Sequence, residues 1–121
     1  SIAVIGVENP GQPPFTNRSN LKKAMKGLNP DMFKILLSHD PHHWRREVVG
    51  KKIQLTLAGH THAGQLKISK WTPARMAFKE WGGAYRIGEQ MLYVSSGIGG
   101  SFPFRLGAWP ELTVITLKRD L

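Results

Sequence analysis

The five histidines of this 121-residue chain fall in two short stretches. ILLSHDPHH (35–43) holds His39, His42 and His43, and LTLAGHTHAGQLKI (55–68) holds His60 and His62. Both stretches share a plan. A hydrophobic run ends, a small residue follows, and a histidine stands where the run opens into a loop. Neutral imidazole ligates Zn, Mn, Fe and Ni. Three clustered imidazolium cations would repel one another, so His39, His60 and His62 can share a small volume near neutral pH if they bind a metal or stay deprotonated. Gly59 and Gly64 let the backbone approach closely and adopt positive φ. Thr61 can hydrogen-bond a nearby ligand or phosphate. His42 and His43 fall in the first turn of a short helix and are read as structural and partly exposed. Asp40 reads as the N-cap of that helix rather than a ligand, and Gln65 as structural.

Positioning these side chains requires strands that end side by side. IAVIGV (2–7) is a continuous apolar run, the mark of a strand covered on both faces. The Pro-, Gly- and Asn-rich ENPGQPPFTNRSN (8–20) is a loop. Leu21, Ala24, Met25 and Leu28 recur at helical spacing, with Ser19 or Asn20 as cap and Gly27 as stop. Phe33 to Leu37 reads as a second buried strand. Asp40 and Pro41 open a short helix through Trp44 and Val48 that Gly50 ends. Ile53, Leu55 and Leu57 alternate with polar or small residues, a third strand, and 65–69 reads as a fourth. Strand, helix, strand, helix, strand implies right-handed crossovers and a mainly parallel sheet. His39 and His60 then leave the carboxyl ends of adjacent strands, where α/β sheets bind ligands. YRIGEQMLYV (85–94) reads as a hairpin turning at Gly88-Glu89. SSGIGGSFPFRLGAWP (95–110) is a long loop, and LTVITL (112–117) a closing strand. The fold class is α/β, with a parallel or mixed sheet first and antiparallel strands after it.

Composition sets outer bounds. Hydrophobic residues make up 40% of the chain, enough for a core. There is no cysteine, which excludes disulfides and thiolate metal sites. No apolar run approaches the roughly 20 residues of a membrane span, and the first residues have no basic start or long apolar centre of a signal peptide. Localisation is left open, compatible with a membrane-associated or exported bacterial protein. The net charge of +9 would attract phosphates, nucleic acid or an anionic membrane. The basic residues come in short pairs, read mainly as solvated surface.

Taken together, LLSHDP, LTLAGHTHAGQ, YVSSGIG and RLGAWPELTVITL resemble the C-terminal half of a calcineurin-like metallophosphoesterase, in the bacterial branch whose motif runs GHTHxGQ. The resemblance covers essentially the whole chain. It implies half of a two-sheet α/β sandwich, and one domain over 1–121 that is the C-terminal half of a larger phosphoesterase domain. It implies a hydrolase of phosphomonoesters or phosphodiesters, using two divalent ions (Mn, Fe, Zn or Ni) about 3.5 Å apart that activate a hydroxide. By motif, His39 and His60 would bind one ion and His62 the other. The family's Asp-x-His, Gly-Asp-x-x-Asp and Gly-Asn-His-Asp motifs, which supply the bridging carboxylate, an asparagine ligand and the histidine acid, are expected upstream and none of them here. No catalytic residue is therefore assigned to this chain, which is expected to be inactive or nearly so alone. Its expected partners are a phosphate-ester substrate, the missing N-terminal half of the same protein, and a second copy docked on an uncovered apolar face. Thr61 and Arg105 are candidate phosphate contacts; for Arg105 the alternatives are pairing with Glu111 or packing on Trp109. Trp44, Trp71, Trp81 and Trp109 read mostly as filling the edges of the core. The competing function is a basic module for nucleic acid or anionic lipid with structural histidines. That reading needs Lys22, Lys23, Lys26, Arg45, Arg46, Lys51 and Lys52 on one face; no specific nucleic acid is predicted.

Overall fold

The computed structural model describes residues 1–11 and 13–119. Alternating apolar runs build a single five-stranded sheet in the order β1-β2-β3-β5-β4, from β1 (Ile2–Gly6), β2 (Phe33–Leu37), β3 (Leu55–Ala58), β4 (Gly83–Ile87) and β5 (Gln90–Val94). The pairs β1·β2, β2·β3 and β3·β5 are parallel, and β4·β5 is antiparallel. This is the mixed α/β architecture expected, compatible with half of a metallophosphoesterase sandwich.

Register assigns each face. Ile5, Leu36, Ala58, Leu92 and Val94 point to one side and pack with Leu21, Trp44, Val48 and Ile53 into the core. Leu21 comes from the short helix α1 (Leu21–Ala24), whose N-cap Asn20 accepts a 2.8 Å hydrogen bond from Lys23 N. Trp44 and Val48 come from a π-helical turn, Trp44–Val48, closed by the Val49 N to Trp44 O bond of 2.9 Å. The Gln90 amide donates to the carbonyls of Val48, Lys51 and Ile53, tying this turn to the hairpin. That hairpin turns at Gly88 (φ 57) and Glu89, as its spacing predicts.

The opposite face departs from expectation. β1 is an edge strand, and Ile2, Val4, Phe33 and Leu37 stand exposed beside one another rather than covered on both faces. Residues 65–69 form no strand. Gln65 ends the 3-10 turn His62–Gln65, after which Leu66 bridges Leu106 and Ile68 bridges Trp71. Residues 112–117 form no strand either. Leu112, Val114, Ile115 and Leu117 are all exposed, and Ile115 and Leu117 line a cleft with Phe33, Leu55 and Met91. Both segments have strand composition but no strand to pair with, and β-propensity without a partner forms no ladder. Of the tryptophans only Trp44 is in the core; Trp71 and Trp109 are exposed.

Candidate metal centre

The tips of β2 and β3 lie together because these strands are parallel neighbours in register, Leu37 opposite Leu57. Ser38 N donates to Leu57 O and Gly59 N to His39 O, so the two chains stay paired past their last strand residues. His39 and His60 leave at this point, and His39 Nε2 stands 2.8 Å from His60 Nδ1. Their rings meet edge-on with centroids 4.6 Å apart, and Phe78 packs against His60.

The turn carrying His60 and His62 is strained. His60 (φ 69), His62 (φ 48), Ala63 (φ 51) and Gln65 (φ 55) all occupy the left-handed region, as does Gly64 (φ 65). Non-glycine residues there cost of order 1 kcal/mol or more each and persist only where their surroundings dictate them. The ties are visible. Thr61 Oγ1 donates to Trp81 O at 2.6 Å, and Thr72 Oγ1 donates to Ala63 O at 2.6 Å. A Cβ on Gly64 would lie 2.9 Å from Thr72 Oγ1, so glycine is needed for space as well as for φ. Gln65 is buried, donates to the carbonyls of Phe102 and Phe104, and accepts from Ser101 N and Phe102 N.

His62 has its Nδ1 buried without a hydrogen-bond partner. Burial, then the neighbouring His39, with His62 and His42 adding to it, lowers the His60 pKa below its usual value, while Asp40 opposes them. Among the described residues no three His, Cys, Asp or Glu side chains are close enough together to hold a metal ion. The close pair is His39 and His60. Those two nevertheless fit a shared cation. Two nitrogens about 2.0–2.1 Å from one Zn²⁺ at the tetrahedral angle are roughly 3.3 Å apart, so the pair would open by only about half an ångström. The Nδ1 of His62 stays outside this pair, buried and without a hydrogen-bond partner.

The other candidates are committed to the backbone. Thr61 is buried and its hydroxyl is spent on Trp81 O. Arg105 donates to the carbonyls of Ala108, Ser96 and Gly99, stapling its own loop. Glu111 instead bonds Tyr93 and Ser96, so the expected Arg105–Glu111 alternative is not what holds the arginine. His43 is fully buried rather than partly exposed. Its Nδ1 meets Ser38 Oγ at 3.0 Å and its Nε2 meets Glu47 at 3.3 Å. Asp40 caps the helical turn through His42 N at 2.8 Å and contacts His42 Nδ1 at 3.0 Å. Asp40-Pro41-His42 also corrects the expectation that no Asp-x-His occurs here: the spacing is present, set just after the β2 histidine. Asp40, His42 and His60 line a cleft of about 460 Å³ with Asn9 and Phe78. On the basic side, Lys22, Arg46 and Lys51 line one cleft together with Glu47, while Arg45 pairs with buried Glu80.

The chain is 36% identical over 102 residues to a bovine (Bos taurus) transmembrane protein with metallophosphoesterase domain, covering 82% of this chain and 23% of that protein. It is 35% identical over 101 residues to the uncharacterized metallophosphoesterase YkuE of Bacillus subtilis, covering 78% of this chain and 34% of YkuE. The chain belongs to the metallophosphoesterases. A third relative, phosphodiesterase YaeI of Escherichia coli, is 29% identical over 110 residues, 88% of this chain and 36% of YaeI. The chain thus spans about a quarter to a third of these three relatives, consistent with a C-terminal part of a calcineurin-like domain. No protein-family model matches it, and no solved structure does. Metallophosphoesterases are phosphoester hydrolases that use divalent metal. The bovine relative is named a transmembrane protein; among the described residues of this chain no helix is long and apolar enough to cross a membrane.

Proposed function

We propose that the protein carrying this chain hydrolyses phosphate esters with divalent ions held in part by His39, His60 and His62. The observation that carries this reading is the 2.8 Å approach of two imidazole nitrogens across neighbouring strand tips. When bound, the ions supply Lewis acidity and a nucleophile at neutral pH. His39 and His60 share one ion, and the strained turn presents His62 to the other. Lowered proton affinity keeps His60 neutral, the state in which imidazole ligates metal. The cleft bounded by Asp40, His42 and His60 gives the ester room beside the pair. A relative named as a phosphodiesterase favours a diester over a monoester.

Two ions a few ångströms apart need anionic ligands between them, and among the described residues no cluster of three His, Asp or Glu side chains forms around the histidines. We therefore place the remaining ligands outside the chain, in the other half of one shared domain, and expect the chain alone to be inactive or nearly so. The test is hydrolysis of an aryl phosphodiester with added Mn²⁺ by the longest reading frame containing these residues. His60→Ala with His62→Ala should lower the rate by roughly 100-fold or more, beyond the loss typical of a residue that only orients a ligand. Full activity in the double variant would overturn the assignment.

A further inference from the structure

Two stretches distant in sequence form one apolar ledge. Lys67 N donates to Leu106 O and Leu106 N to Gln65 O, so 65–67 and 105–107 run side by side. Ile68 then pairs with Trp71, and the rings of Phe102 and Phe104 lie 6.5 Å apart. Along this ledge Ile68, Trp71, Phe102, Phe104, Leu106 and Trp109 are all exposed, Phe102 at 63% and Trp109 at 70%. The loop does not fray outward. Gln65 and Arg105 fix its backbone from beneath, and a Cβ on Gly107 would collide with Lys67 O. The hydrocarbon is held facing solvent by polar ties, which marks an interaction surface.

The charge around it is predominantly positive, with Glu111 the acidic neighbour beside Trp109. Residues 66–79 contain Lys67, Lys70, Arg75 and Lys79, residues 96–110 contain Arg105, and neither stretch contains a carboxylate. Lys70, Arg75 and Lys79 are exposed. We propose that this ledge docks on an anionic lipid bilayer, its aromatic and aliphatic side chains entering the boundary between headgroups and acyl chains while the basic residues meet lipid phosphates. The predominantly positive rim complements a surface that carries negative charge throughout. A bilayer is uniformly negative and deformable, and tryptophan favours its interface. Gly97 precedes the ledge's loop, and an ideal Cβ there would lie 4.0 Å from His62 Nδ1, so this loop adjoins the histidine turn. The inference goes beyond the hydrolytic reading and does not depend on it.

The test needs neither metal nor turnover. The 121-residue chain is mixed with phosphatidylcholine vesicles and with vesicles containing about one-third phosphatidylglycerol, then sedimented. It should pellet with the anionic vesicles, and acyl-brominated lipid should quench its tryptophan emission, a readout on the unmodified chain. Phe102→Ser with Phe104→Ser should weaken binding roughly tenfold or more. Lys70→Glu with Arg75→Glu should abolish the preference for anionic lipid. Ile2→Thr with Val4→Thr, on the exposed sheet face, should leave the vesicle binding and the quenching by bromolipid in place. The proposal is overturned if the chain stays in solution, if bromolipid leaves the emission unchanged, or if binding survives the phenylalanine changes and is lost with those at Ile2 and Val4.

Discussion

Gln65 and His43 show how much depends on single buried polar side chains. Gln65→Leu would strand two N–H groups and two carbonyls of the 101–104 loop beside an apolar surface. We expect a loss of about 2–3 kcal/mol in urea unfolding. His43 titrates the fold. Burial lowers its pKa below the model-peptide value near 6.5 and Arg46 adds to this, while Glu47 and Asp40 pull it back. On acidification the unfolded chain is therefore protonated first. The stabilisation is complete above about pH 6.5 and is lost as pH falls from there towards the lower folded-state pKa, with His60 contributing in the same direction. Urea midpoints measured from about pH 8 to pH 5 should fall on the acid side; a flat profile would mean that His43 is not buried neutral. The meeting of His39 and His60 was legible because each follows an apolar run by a fixed short step. The burial of His43 was not: polarity suggests surface, and its partners Ser38 and Glu47 are found only once the turn is built.

At the scale of elements, strands were read correctly wherever an apolar run had a neighbour. The hairpin, the parallel order of β1 to β3 and the cap at Asp40 follow from residue type, while of the two candidates Ser19 and Asn20 the structure uses Asn20. The segments 65–69 and 112–117 have the same composition, but their state depends on what lies beside them, which one chain's pattern does not encode. The core elements should respond as packed ones do. Leu36 is fully buried between β1 and β3, and Leu36→Ala should cost about 2–5 kcal/mol, read from the denaturant midpoint. Val114→Ala, at an exposed position outside any strand, should stay within about 0.5 kcal/mol of the parent.

For the whole molecule, the sheet has one finished face and one bare one. Ile2, Val4, Phe33 and Leu37 form a contiguous exposed patch on β1 and β2, and such patches associate. The isolated chain is expected to sediment with a mass that rises with concentration, and Val4→Lys to hold it closer to a monomer; a concentration-independent monomer would contradict this. The ledge over 98–109 is exposed for a different reason, because it is strapped in place. Surface loops usually accept extra residues freely. Here one amide must meet two carbonyls and two N–H groups between 101 and 104, so adding or deleting a single residue in that span would slide every one of them off its mark. A stretch with several exposed side chains is thus among those least free to change in length.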